Sequence, residues 1–111
     1  MIASMWIHSL DDRVLNSALF ESLEIIESFP EDTDPEQVEA ELVEPEFYEI
    51  VAVMSSGDEA LLHHCEDADE AYLVYDLLAA TLARGTYRDG SSILEPTSVH
   101  LLLERERQSH N

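Results

Sequence analysis

Two groups of residues in this chain could do chemistry: a His63-His64-Cys65 triplet and an unusual number of carboxylates. Imidazole and thiolate are ligands for zinc and copper. On a strand, side chains alternate between faces, so His63 and Cys65 should point one way and His64 the other. At most two of the three then converge. A closed tetrahedral site would need His8 or His100 from another strand, and a fourth ligand besides. The plainer expectation is a half-buried strand with an inert cysteine and a solvent-facing histidine, so no metal and no cofactor is expected. Nor does the triplet suit a cysteine nucleophile with a histidine base, because neighbours on opposite faces share a hydrogen bond poorly and nothing marks an oxyanion hole. The chain is not expected to be an enzyme.

The carboxylates are concentrated in Glu31, Asp32, Asp34, Glu36, Glu39, Glu41 and Glu44, continued by Glu46 and Glu49 and preceded by Glu21, Glu24 and Glu27. Calcium is one use for them. An EF-hand loop needs oxygen ligands at positions 1, 3 and 5, glycine at 6 and glutamate at 12. Counting from Asp32, the sixth residue is Gln37 and the twelfth Val43; counting from Asp67, the sixth is Tyr72. Neither fits. Mimicry is another use: carboxylates three or four residues apart on a helix have Cβ atoms about 5–6 Å apart, a spacing similar to that of successive phosphates on a nucleic acid. Like charges so placed repel, and a basic partner would relieve the repulsion. The ordinary alternative is a solvated face that maintains solubility, or adaptation to high salt.

The rest of the composition sharpens that choice. The 111 residues hold 25 Asp and Glu against 5 Arg and no Lys, a net charge of −20. Between Val14 and Ala83 there are 19 acids and no Lys or Arg; the arginines are Arg13, Arg84, Arg88, Arg105 and Arg107. Such a surface excludes direct contact with nucleic acid or anionic membrane, which needs cations to replace counterions at phosphate. No run of about 18 apolar residues suggests a membrane span, and the start MIASMWIHSL lacks the basic and long apolar regions of a signal peptide. A soluble, cytoplasmic protein is expected. The single cysteine cannot form an intramolecular disulfide, in keeping with a reducing compartment. Glycine-rich phosphate loops, G-x-S-x-G and H-E-x-x-H are all missing from the sequence.

The elements that must position these residues fit one α+β domain over 1–111, whose 45% hydrophobic content can build a single core. Ile2 to His8 reads as a strand. Ser9 to Asp12 has the S-x-x-D form of a helix start, and the apolar spacing Val14, Leu15, Ala18, Leu19, Leu23, Ile26 predicts a helix over 11–28. The competing reading is a turn at Asp11-Asp12 and a strand through Phe20 to Ile26. An acidic connection follows over 29–46, with Asp34-Pro35-Glu36 as the N-terminus of a short helix reaching about Leu42. Glu46 to Met54 and Glu59 to Cys65 predict a hairpin around Ser55-Ser56-Gly57-Asp58. Asp67 or Asp69 caps a helix with Ala71, Val74, Tyr75, Leu78 and Leu82 on its apolar face and Gly85 just past its end. Thr97 to Leu103 reads as a last strand before a polar tail over 104–111. The resulting order is that of a ferredoxin-like βαββαβ sandwich; if 11–28 is strand, the alternative is an antiparallel β-meander with one helix in its C-terminal half.

In size and charge, though in no motif, the chain resembles the small acidic inhibitors of phages and mobile elements: antirestriction proteins, anti-CRISPR proteins and nuclease immunity proteins. That resemblance implies a basic, nucleic-acid-binding protein as partner, approached by electrostatic steering and blocked by occupation of its positive cleft. The residues that would carry this are Glu31, Asp32, Asp34, Glu36, Glu39, Glu41 and Glu44. The alternative is a salt-adapted structural or regulatory domain, forming a homodimer through a sheet edge or face.

Overall fold

The computed structural model describes residues 5–109 and is α+β. Strand β1 (Trp6–His8) and strand β2 (Val14–Asn16) form an antiparallel pair. A 3-10 turn (Ser17–Leu19) leads to β3 (Phe20–Ser28), and helix α1 (Pro35–Glu39) lies in the acidic connection. Strands β4 (Phe47–Met54) and β5 (Glu59–Cys65) come next, then α2 (Ala68–Arg84) and α3 (Val99–Ser109). The main sheet has the order β3-β4-β5, all antiparallel. Strand and helix counts fit a ferredoxin-like sandwich only loosely, because the sheet runs as a meander and the chain closes on a helix.

Two expected elements differ. The helix expected over 11–28 is instead β2, the 3-10 turn and β3. Asp12 takes a left-handed φ of 63°, and the Ser9 and Asp12 amides donate to the Arg13 and Ser9 carbonyls at 2.8 and 3.3 Å. The S-x-x-D signature therefore closes a hairpin turn, as the competing reading has it. The strand expected over 97–103 is α3, and most of the polar tail is its second half. Ser98 supplies a hydroxyl that accepts from the Leu101 amide at 3.2 Å, and Val99, Leu102 and Leu103 fall at helical spacing on the packed side. Thr97 alone keeps strand character, bridging Ile7 in parallel. Of the expected first strand, Trp6–His8 forms; Ile2 to Ser4 lie outside the described residues, as do the last two residues of the tail.

The hairpin and the long helix form where expected. Gly57, at φ 89°, turns β4 into β5, and the Met54 amide donates to the Asp58 carbonyl at 2.8 Å. The Asp67 side chain accepts from the Glu70 amide at the start of α2, and Gly85 ends it at φ 73°, the left-handed cap that glycine favours. Helix α2 buries Ala71, Val74 and Leu78 against Ile50, Ala52 and Met54 of β4 and Ala60, Leu62 and Cys65 of β5. Ile7 of β1 and Met5 just before it complete this core, with Val99 and Leu102 from α3. Among the described residues, no helix is long and apolar enough to cross a membrane.

Candidate functional site

The acidic tract starts where β3 leaves the sheet. Among the described residues, strand β3 is an edge that pairs with β4 on one side only. The Glu46 amide donates to the Ser28 carbonyl, so Glu24, Ile26 and Ser28 turn their backbone groups toward β4, and those of Leu23, Ile25 and Glu27 face the free side. The Leu23 carbonyl there accepts from the Tyr75 hydroxyl at 3.1 Å, tying the edge to α2. Glu21, Glu24 and Glu27 are exposed along this edge, a placement of charge that discourages pairing with another strand.

Beyond Ser28 the chain rises out of the core. No residue from Phe29 to Glu49 is buried, and Leu42 is 74% exposed. Helix α1 exists for local reasons. The Asp34 carboxylate accepts from the Glu36 amide at 3.0 Å, and Pro35 occupies the first helical position. At its other end the Leu42 amide donates to the Gln37 carbonyl at 2.9 Å across Glu41, which adopts a left-handed φ of 57°. The structure thus brings Glu31, Asp32, Asp34, Glu36, Glu39, Glu41 and Glu44 into one exposed segment, and all seven are open to solvent.

None of the seven makes an ion pair among the described residues. The pairs made by arginine lie elsewhere, in two places. At the first, Arg13 donates to Asp11 at 2.6 Å, to Asp58 at 2.7 Å and to the Glu59 carbonyl at 2.6 Å, clamping the β1–β2 turn onto the β4–β5 turn. The Arg13 guanidinium, helped by the Ser9 hydroxyl, holds the Asp11 carboxyl below the usual carboxylate range. At the second, Arg88 pairs with Glu106, and Arg105 stacks 3.7 Å over the Tyr87 ring while reaching Asp89 at 3.4 Å.

The His63-His64-Cys65 triplet is arranged by a bulge. Strand β5 pairs Ile50 with His63 but Val51 with Leu61, leaving Leu62 as an extra residue. Ala60 and Leu62 face the core, and strict alternation would then send His63 and Cys65 outward with Leu61. The extra residue reverses that parity. His63 stands opposite Ile50 and Cys65 opposite Tyr48 on the helix-covered face, while His64 sits outside with its ring 4.9 Å from that of Phe47.

Cys65 is 2% exposed, and burial pushes its thiol up to about 11. It is therefore protonated at neutral pH, the opposite of what a nucleophile needs. Burial likewise lowers His63 from the usual imidazole value. Glu70, in the first turn of α2, completes a group that sequence reasoning missed: the ligand atoms of His63, Cys65 and Glu70 lie within 4.8 Å of one another. Only the packing of α2 on β5 brings Glu70 there, and nothing in the local sequence marks it. His8 and His100, the partners considered from sequence, are not in this group; His100 pairs with Glu104 on α3 at 3.2 Å.

Comparison with family profiles, with curated proteins and with solved structures finds no match.

Proposed function

With no relative to lend an activity, we propose that the chain is an acidic interaction protein that binds a basic, nucleic-acid-binding partner and blocks it by presenting phosphate-like charge. One observation carries this: seven exposed carboxylates stand together between Glu31 and Glu44 with no ion pair among the described residues, while arginines are engaged at the two other places. A structural role would be served as well by fewer acids or by interspersed bases, since the like-charge repulsion it creates weakens the compact state. Glu21, Glu24 and Glu27 extend the negative surface along the β3 edge. The partner meets this surface in a cytoplasmic setting, without direct contact between the chain and nucleic acid.

The test begins with a basic partner captured from the source cells at low salt and then purified. The chain should displace a duplex oligonucleotide from it in a fluorescence-anisotropy competition, and a few-fold increase in salt should weaken that displacement steeply. Reversing Glu36, Glu39 and Glu41 to Lys should leave the circular dichroism spectrum unchanged and reduce displacement by at least about 100-fold, or roughly 1 kcal/mol per reversed charge. Equal displacement by the triple variant would refute the assignment.

A second reading, a salt-adapted homodimeric domain, draws on the sheet face turned away from the core. Phe47, Val51, Val53 and Leu61 lie there, with Ile26 38% exposed. A concentration-dependent dimer in sedimentation, dispersed by Ile26→Glu and unaffected by reversal in the acidic tract, would favour that reading.

A further inference from the structure

We infer that His63, Cys65 and Glu70 form a binding site for one zinc-class divalent cation at the junction of β5 and α2. The donors are an imidazole, a thiol and a carboxylate, the three ligand types zinc uses most, and their ligand atoms lie within 4.8 Å of one another. Zinc bonds of about 2.0–2.3 Å put tetrahedral ligands roughly 3.3–3.8 Å apart, so the group must close by about 1 Å. Glu70 is exposed and His63 only half-buried, which leaves both side chains free to make that adjustment around the fixed sulfur of Cys65.

The fold has already oriented two of the donors. The Leu62 bulge turns His63 and Cys65 toward α2, where an unbroken strand would have placed them on the opposite face. The surrounding charge suits a cation: Asp67 and Glu70 are both close enough to act electrostatically on the Cys65 thiol. The ligands run from the buried sulfur to the exposed carboxylate, so a cation enters from the Glu70 side and retains a fourth position for water. This site is separate from the acidic tract and does not depend on what the tract binds.

Cobalt distinguishes such a site from loose association with a polyanion, because only a cobalt–thiolate bond gives a sulfur-to-metal charge-transfer band in the near ultraviolet. The reduced, metal-free full chain is titrated with cobalt and then with zinc. The expected result is one equivalent of cobalt with that band, displaced by one equivalent of zinc. Glu70→Gln and His63→Gln should each weaken cobalt binding at least about 10-fold, while His64→Ala on the opposite face and Glu36→Gln/Glu39→Gln/Glu41→Gln leave it unchanged. Glu70 is exposed, so Glu70→Gln keeps the test decisive if substitutions at the buried Cys65 fail to fold. A cobalt spectrum without the sulfur band, or a band of undiminished affinity in both Glu70→Gln and His63→Gln, overturns the assignment.

Discussion

At the residue scale, the contrast between paired and unpaired carboxylates is open to measurement. Asp11 is bound by Arg13 and by the Ser9 hydroxyl, and its carboxyl titrates below the ordinary value of 3.8. A carboxyl lowered on folding stabilises the native state above its unfolded pKa, and that contribution disappears as pH falls through the folded value. Arg13→Gln should therefore raise the Asp11 pKa, read by NMR titration. It should also lower the melting temperature at neutral pH; the part of that loss due to Asp11 should shrink as pH falls through the folded value of its carboxyl, while the part due to the lost bond to the Glu59 carbonyl persists. The cluster around Cys65 shows how far single residues can be read from sequence. Alternation correctly places His63 and Cys65 together and His64 apart. Which face they occupy depends on one inserted residue, Leu62, and no composition rule announces a bulge.

Among the elements, the edge strand β3 makes a direct prediction. Its 9 residues carry Glu21, Glu24 and Glu27, and among the described residues no strand covers its outer side. Replacing all three with Thr keeps β propensity and removes the charge, so the variant should self-associate where the parent stays monodisperse in light scattering. In the opposite direction, Leu78→Ala on α2 empties a fully buried position and should cost about 2–5 kcal/mol in urea denaturation. The β4–β5 hairpin and α2 were legible because their signals are local: Ser-Ser-Gly-Asp between apolar runs, and an Asp cap with a glycine stop. Residues 11–28 and 97–103 were not, because both hold short apolar runs that fit either period. Tertiary contacts decided them: the hairpin turn fixed by Ser9 and Arg13 in one case, the burial of Val99 and Leu102 in the other.

For the whole molecule, charge and shape belong together. The radius of gyration is 15.4 Å, against about 13 Å for a compact domain of this length, and the extents of 46 × 38 × 23 Å describe a flattened body. With a net charge of −20, self-repulsion opposes compaction. Raising ionic strength from about 0.05 to 0.5 M shortens the screening length from about 14 to 4 Å. The melting temperature should then rise by about 5 °C or more, which corresponds to roughly 1 kcal/mol for a domain of this size. The Glu36→Lys/Glu39→Lys/Glu41→Lys variant, at −14, should show a visibly flatter dependence in the same calorimetric series. An equal slope for both proteins would mean that the tract contributes nothing special to the repulsion.

The extra residue in β5 also makes the lone thiol a witness to strand alignment. A hairpin that closed one step out of phase would carry Cys65 to the open side of the sheet, where a thiol-directed dye could reach it. Labelling during refolding would then count misaligned chains directly, and silence from the dye would mark those that had found their proper partners.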